Sequence, residues 1–119
     1  MIADSNERLE FLGDSILDSI IAEYLFKKYP YKDEGFLTEV RSRIVQRSTL
    51  NDVSVKIGIN ELLIYKKGIH QKSIYGNAFE ALIGAIYLDK GYIKTSKFVL
   101  KLLNTQIDVD HLATNNENF

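Results

Sequence analysis

The stretch NERLEFLGDSILDSIIAEYLFKKYP, residues 6–30, decides the fold of this chain. Its leucines and isoleucines recur every three or four residues, as they do along the buried face of an α-helix. They are Leu9, Leu12, Ile16 and Ile20, followed by Leu17, Ile21 and Leu25. Just ahead of them, Asp4 and Glu7 have the spacing of a capping box, and Pro30 follows the last turn. The sequence therefore predicts one long helix that ends at about Lys28.

The rest of the chain continues the helical spacing and contains no alternating apolar and polar run of strand length. Four more helices are predicted, over about 33–46, 48–57, 74–89 and 92–107, with Gly58 and Gly91 as stop signals. The helix over 74–89 is apolar nearly all round, so we expect it to cross the centre of the fold.

Residues 60–73 are predicted to form a turn and a basic loop, and residues 108–119 a C-terminal linker or tail. The prediction is an all-α fold with one domain over 1–107 and that tail.

The composition is that of a folded, soluble domain. The chain has 119 residues, of which 45% are hydrophobic and 26% charged, and its formal net charge is −1. It has no cysteine, which excludes disulfides, thiolate metal sites and cysteine nucleophiles and suits a reducing, cytoplasmic location. No apolar run approaches the roughly 20 residues of a membrane span, so no membrane partner is expected. With so little net charge, any RNA must be held by a local basic face.

Three carboxylates form an acidic stripe on the first helix. Glu7, Glu10 and Asp14 are spaced by three and four residues, which stacks them on one face. Like charges at this spacing cost roughly 0.2–0.5 kcal/mol per pair. The simplest interpretation is a solvated acidic edge near a helix N-terminus, where the helix dipole favours negative charge.

Asn77 and Glu80 interrupt the most apolar helix at positions i and i+3. A carboxylate on a nearly buried helix needs a partner, because an unpaired buried charge is too costly. Carboxylates and an amide converging from two helices would offer hard oxygen ligands to Mg²⁺ or Mn²⁺. The alternative is an ion pair between Glu80 and an arginine such as Arg41 or Arg43.

Three blocks together resemble the ribonuclease III family: NERLEFLGDS at 6–15, EGFL at 34–37 and GNAFEALIGAIYLD at 76–89. They occur in the family's order, and the resemblance spans residues 6 to about 103. It implies an all-helical, dimeric endonuclease domain that cuts both strands of double-stranded RNA and leaves 5′-phosphate and 3′-hydroxyl ends. It also suggests a role in processing ribosomal-RNA precursors. The expected cofactor is Mg²⁺, with Mn²⁺ as a substitute, and the expected partners are double-stranded RNA and a second copy of the chain.

The resemblance also assigns the metal site. Glu10, Asp14 and Glu80 match the family's metal-binding carboxylates, and Asp14 and Glu80 are the expected catalytic residues. Asn77 stands at the fourth ligand position, where the family usually has an aspartate, so the site has one formal negative charge fewer. A divalent ion can activate water and neutralise charge on the phosphate, so no side-chain nucleophile is required.

Three more residues match family positions around that site. Glu7 matches an acidic position beside it, Glu34 one that lines the cleft between subunits, and Phe11 an aromatic that inserts into the partner subunit. We give His70 and His111 a solvated, non-catalytic role.

Five basic residues are candidates for contacts with the RNA backbone: Arg43, Arg47, Lys66, Lys67 and Lys72. The alternative is ordinary surface charge, with Glu39 paired to Arg43.

The family also normally has helices ahead of the first block, and many members continue into a double-stranded-RNA-binding domain. We therefore expect a fragment of a longer protein. Two other functions stay open at this point: a catalytically impaired relative that binds RNA or dimerises, and a helical dimerisation module with no role on RNA.

Overall fold

The computed structural model describes residues 2–59 and 73–114, which form helices joined by short connections and contain no strand. The helices are α1 (Ile2–Lys28), α2 (Glu34–Val45), α3 (Arg47–Lys56), α4 (Ser73–Lys90), α5 (Tyr92–Thr105) and α6 (Val109–Thr114). The prediction of an all-α fold is confirmed.

The helix ends follow the sequence signals with one exception. Helix α1 begins at Ile2, so Asp4 lies inside the helix and not at the predicted cap position. Helix α2 is capped by Asp33, whose Oδ1 accepts a hydrogen bond of 3.0 Å from the backbone N–H of Phe36. Gly91, between α4 and α5, has a positive φ of 88°, a conformation that glycine adopts without strain.

The core lies where α1 and α4 pack along each other, with α2, α3 and α5 around them. Its most deeply buried side chains are aliphatic and aromatic, including Leu17, Ile20, Ile21, Leu25, Ile44, Leu50, Phe79, Ile83 and Val99. Burying one such side chain stabilises the fold by about 1.5–3 kcal/mol. Helix α4 contacts α1, α3 and α5, so it crosses the centre of the fold as predicted.

The C-terminal segment, predicted as a linker or tail, is helical up to Thr114. Residues 109–114 form α6, which packs on α2 and buries Val109 and Ala113. The Tyr29 hydroxyl donates a 2.6 Å hydrogen bond to Oδ1 of Asp110 and ties this helix to the end of α1. A linker-like segment was predicted because one i, i+4 apolar pair is too short a pattern to indicate a helix.

None of the helices in the two described ranges is both long enough and apolar enough to cross a membrane.

Candidate active site

One face of α1 carries four carboxylates, at Glu7, Glu10, Asp14 and Asp18. Glu7 and Asp14 are exposed, whereas Glu10 and Asp18 are half-buried. Burial raises the pKa of Glu10, and the neighbouring Glu7 carboxylate raises it further, while the positive charge of Arg47 lowers it in part. The acidic stripe therefore includes a fourth carboxylate, Asp18, one helical turn beyond Asp14. It is only partly solvated.

Two glycines bring α4 against this acidic face. A Cβ placed on Gly13 would overlap the backbone carbonyl of Glu80, and a Cβ placed on Gly84 would overlap the backbone carbonyl of Leu9. The two helices can therefore touch backbone to backbone only because both positions lack a side chain. This contact sets Glu80 beside the carboxylates of α1.

Glu80 is the most buried acidic side chain in the described part of the chain, with 5% of its surface exposed. It lies within hydrogen-bonding reach of Asp14. Burial raises the pKa of Glu80 to about 6, with a further upward contribution from Asp14 and an opposing one from Arg47. The structure thus places one buried carboxylate directly beside a second, exposed one.

Arg47, the first residue of α3, binds both predicted ligand side chains of α4. Its Nη2 donates to Oε1 of Glu80 at 3.0 Å, and its Nη1 donates to Oδ1 of Asn77, also at 3.0 Å. The guanidinium fork matches the two oxygens because positions i and i+3 lie on one face of α4. The ion pair considered as an alternative for Glu80 exists, but its arginine is Arg47 and neither Arg41 nor Arg43.

Helix α3 holds the first turns of α4 through two more polar contacts. The Ser54 hydroxyl donates to the carbonyl oxygen of Tyr75 at 2.7 Å, and Oδ1 of Asn51 accepts from the N–H of Gly76 at 2.8 Å. Because Arg47, Asn51 and Ser54 are spaced by four and three residues, they share one face of α3. Helix α4 is thus fixed on one side by backbone contact with α1 and on the other by side-chain hydrogen bonds from α3.

The family model described as ribonuclease-III-like matches residues 2–107. The chain belongs to the ribonuclease III family. It is 53% identical over 117 residues to a protein named Ribonuclease 3 from Azobacteroides pseudotrichonymphae, with 97% of this chain covered. It is 49% identical over 118 residues to Ribonuclease 3 from Bacteroides thetaiotaomicron, again with 97% covered. The chain spans 45% and 38%, respectively, of the length of these two relatives.

A solved structure of the ribonuclease III nuclease domain from Campylobacter jejuni superimposes on the chain with a TM-score of 0.79 at 33% identity. The match covers 83% of this chain and 73% of that domain, whose structure is described as flexible in a region involved in dimer formation. The fold around the candidate site is therefore that of a ribonuclease III nuclease domain.

The structure brings together most of the ligand set that the family resemblance implies. Asp14 and Glu80 are neighbours, Asn77 shares Arg47 with Glu80, and Glu10 lies within electrostatic range of Arg47. Within residues 2–59 and 73–114, however, no three aspartate, glutamate or histidine side chains stand close enough together to form a ready-made metal site. Arg47 stands instead as the cation in contact with Glu80.

The residues at this site nevertheless fit a hard divalent cation. Asp14 and Glu80 offer anionic oxygens, Asn77 an amide oxygen, and the described part of the chain places no soft ligand beside them. A nearly buried carboxylate beside a second carboxylate attracts positive charge, which in the described structure comes from Arg47.

Two other residues expected around the site lie on α2 and α1. Glu34 is exposed in the first turn of α2, where it lines a groove of about 290 Å³ with Phe26, Leu37 and Arg41. Phe11 follows Glu10 on α1, and 77% of its surface is exposed.

The two arginines predicted to contact RNA have partners within the chain. Arg43 pairs with Glu39 at 3.0 Å and donates through Nη1 to the carbonyl oxygen of Leu112 at 2.6 Å. For Arg43, the structure thus shows the alternative of an ordinary ion pair with Glu39. Arg47 binds Asn77 and Glu80 as described above. The lysine candidates, Lys66, Lys67 and Lys72, lie outside the described residues, as does His70, whereas His111 is exposed on α6.

Sequence reasoning missed Asp18 and assigned Arg47 a different role, contact with RNA. Asp18 continues the acidic stripe at i+4 from Asp14, and its pKa is raised by burial and by Asp14 against an opposing effect of Arg41. That spacing was visible in the sequence. The contact of Arg47 with α4 had a weaker signal, since only the polar i, i+4, i+7 pattern of α3 indicated a helix face turned toward polar groups.

Proposed function

We propose that this chain is the nuclease domain of an endoribonuclease specific for double-stranded RNA. It hydrolyses phosphodiester bonds with Mg²⁺, for which Mn²⁺ can substitute, and leaves 5′-phosphate and 3′-hydroxyl ends. The observation that carries this proposal is the buried Glu80 beside Asp14 in a member of the ribonuclease III family. Keeping two carboxylates together, one of them buried, costs folding free energy, and such costly arrangements cluster at functional sites.

The chain's own residues prepare the site for catalysis. Glu80 and Asp14 supply anionic oxygens, and Arg47 donates a hydrogen bond of 3.0 Å to the Glu80 carboxylate. With a pKa of about 6, Glu80 is mostly ionised at neutral pH and therefore able to bind a cation. A bound Mg²⁺ would lower the pKa of a water molecule and offset negative charge on the phosphate. The lysines of the predicted basic loop, Lys66, Lys67 and Lys72, remain predicted contacts to the RNA backbone.

We propose that the active unit is a homodimer. Phe11 exposes 77% of its surface next to the acidic face of α1, and the family resemblance assigns to this position an aromatic side chain that inserts into the partner subunit. Sedimentation velocity at micromolar concentration tests this, with Phe11→Ala expected to shift the chain toward monomer. Tyr31→Ala, which alters a more exposed aromatic in the α1–α2 connection, should not. A wild-type chain that sediments as a soluble monomer contradicts the proposal.

The proposed biological role is processing of ribosomal-RNA precursors in the cytoplasm. It rests on the family resemblance and on the absence of cysteine. Cleavage of a duplex taken from a ribosomal-RNA precursor, compared with a random duplex of equal length, tests the substrate preference.

A catalytically impaired domain that binds RNA or dimerises is the second candidate. One observation favours it: Arg47 binds both the Glu80 carboxylate and the neutral amide of Asn77.

Cleavage of perfect duplex RNA with Mg²⁺, with Mn²⁺ and with a chelator separates the candidates. We expect wild-type cleavage with either ion, and Glu80→Gln should abolish it while leaving duplex binding intact, because the substitution removes an anionic ligand and keeps the side chain's shape. The matched control is Glu39→Gln, which removes a carboxylate paired with Arg43 on α2. Duplex binding without cleavage in both ions supports the impaired relative, and undiminished cleavage by Glu80→Gln contradicts the proposed site.

A further inference from the structure

Arg47 carries its positive charge at the N-terminus of α3, a position that the dipole of this helix disfavours. It is the first residue of α3, where the helix dipole repels a positive charge. About half of its side chain, 46%, remains exposed, and its described polar contacts at the guanidinium are to Asn77 and Glu80. The carboxylates of the site therefore hold this cation in place against the dipole of α3.

The fold leaves space for the guanidinium at Gly76. A Cβ at that position would lie 2.6 Å from Nη1 of Arg47 and 3.0 Å from Oδ1 of Asn51. Both distances are too short for ordinary van der Waals contact, so a side chain at residue 76 would push the guanidinium aside. The lack of a side chain at Gly76 thus provides the space in which Arg47 reaches Asn77 and Glu80.

The charges at the site explain what this cation does. Glu80 is almost fully buried and stands beside Asp14, while Glu10 adds a third negative charge within electrostatic range of Arg47. A buried carboxylate without a counter-charge is strongly destabilising. In the described structure, Arg47 supplies that counter-charge directly to Oε1 of Glu80.

We propose that Arg47 is the resident counter-cation of Glu80 and competes with the divalent ion for this carboxylate. This inference rests on the metal site of the proposed function. A divalent ion and a guanidinium repel each other, so binding of the ion weakens the contact between Arg47 and Glu80. Through this competition, Arg47 sets how much divalent ion the site requires.

Asn77 fits this competition. Its neutral amide gives Arg47 a hydrogen bond without a second ion pair, and a hydrogen bond to a neutral group is weaker than a charge-assisted one. The guanidinium can therefore leave Asn77 more easily than it could leave an aspartate. The neutral residue at position 77 and the arginine at position 47 act together.

Binding of Mn²⁺ in the absence of RNA tests the competition without any reliance on cleavage. Free Mn²⁺ is counted by electron paramagnetic resonance for the wild type, Arg47→Gln, Arg47→Lys and the control Lys94→Gln, which removes one exposed positive charge on α5. We expect Arg47→Gln to lower the Kd for Mn²⁺ by roughly three- to tenfold. Arg47→Lys, which keeps the charge but loses the fork, should fall between Arg47→Gln and the wild type. Lys94→Gln should change the Kd less than twofold, because exposed charges are screened.

The opposite result separates competition from a purely structural role. If Arg47 only holds Glu80 in a ligating position, Arg47→Gln weakens Mn²⁺ binding, and the proposal is wrong. An unchanged Kd in Arg47→Gln, with a wild type that binds Mn²⁺ and cleaves RNA, overturns the competition and leaves the proposed function standing. Absence of saturable Mn²⁺ binding in every variant overturns the proposed metal site and the competition together.

Gly76→Ala provides a second test that keeps every charge in the chain. Its Cβ takes the space used by Nη1 of Arg47 and should displace the guanidinium, which is the flexible end of a side chain. We expect Gly76→Ala to lower the Kd for Mn²⁺, as Arg47→Gln does, but by a smaller factor. A higher Kd in a folded Gly76→Ala chain counts against the competition.

Discussion

Helix α4 is held by two unlike contacts. On the α1 side, Gly13 and Gly84 let two backbones touch, and nothing there can rearrange without moving a helix. On the α3 side, the contacts are hydrogen bonds from Arg47, Asn51 and Ser54 to the first turns of α4. The first contact fixes where Glu80 stands. The second contact determines which positive charge faces Glu80. Arg47 can change its position there by a side-chain movement, without refolding of the domain.

The two contacts match two requirements of the proposed site, namely a fixed position for Glu80 and a counter-charge that can be exchanged. Backbone contact sets Glu80 beside Asp14, which is the preorganisation that the proposed metal site requires. Side-chain hydrogen bonds of a half-exposed arginine are individually modest, so they can be replaced when another cation arrives. Variants on the two sides of α4 should therefore behave differently.

The largest effect is expected on the α1 side, from Gly13→Ala. The added methyl group overlaps the backbone carbonyl of Glu80, and no rotamer change relieves a clash with backbone. We expect the free energy of unfolding to fall by at least about 3 kcal/mol, measured by denaturant titration. Gly35→Ala is the matched control, because its Cβ meets only Oδ1 of Asp33 at 3.7 Å. A Gly13→Ala chain as stable as the Gly35→Ala chain would show that α1 and α4 do not touch at this point.

The next effect concerns the buried charge between the two contacts. The pKa of Glu80 is raised from 4.5 to about 6, so between these pH values the folded chain keeps a proton that the unfolded chain has lost. Ionised Glu80 therefore lowers the free energy of unfolding as the pH rises through this window, by about 2 kcal/mol. This loss of unfolding free energy is absent below pH 4.5, where Glu80 is protonated in both states, and complete above pH 6.

Glu80→Gln should remove this pH dependence. Measured in chelator from pH 4 to pH 7, its free energy of unfolding relative to that of the wild type should rise across the window. Arg47→Gln should steepen the fall seen in the wild type, because Arg47 lowers the pKa of Glu80. Parallel curves for the wild type and Glu80→Gln would mean that Glu80 does not titrate in this range.

A smaller effect is expected on the α3 side, from Asn51→Ala. The substitution removes the acceptor for the N–H of Gly76, a hydrogen bond of 2.8 Å, and should cost about 1 kcal/mol of unfolding free energy. Asp52→Ala, at the exposed next position, is the control. A loss as large as that of Gly13→Ala would contradict the distinction between a rigid and an adjustable side.

The sequence predicted the α1 side of the site better than the α3 side, for a physical reason. Apolar spacing indicates which helices are buried, and carboxylates three and four residues apart must share a face, so the acidic stripe on α1 followed from local geometry. Which arginine reaches Glu80 depends on how α3 crosses α4, and that crossing is a property of tertiary packing. Arg41 and Arg43 were equally plausible on spacing, and the structure shows Arg47 instead.

The C-terminal segment was mispredicted for a related reason. Helix α6 is six residues long, too short to show a periodic pattern, and it is held by contacts with distant residues. Its partners include Tyr29, which binds Asp110, and Arg43, which binds the carbonyl oxygen of Leu112. Short helices of this kind are marginal alone and depend on tertiary packing.

The smallest effect, and the one that links both sides of α4, is expected from Asn77→Asp. An added carboxylate supplies one more anionic ligand, but in the presence of Arg47 it also forms a second ion pair with the guanidinium, now 3.0 Å from Oδ1 of Asn77. We therefore expect Asn77→Asp to lower the Mg²⁺ concentration for half-maximal cleavage only about twofold in the wild-type background and several-fold in the Arg47→Gln background. Cleavage rates of the four proteins across an Mg²⁺ titration measure this coupling. Equal shifts in both backgrounds would show that Asn77 and Arg47 act independently. If the double variant with Asn77→Asp and Arg47→Gln needs more Mg²⁺ for half-maximal cleavage than Arg47→Gln alone, residue 77 does not ligate the ion.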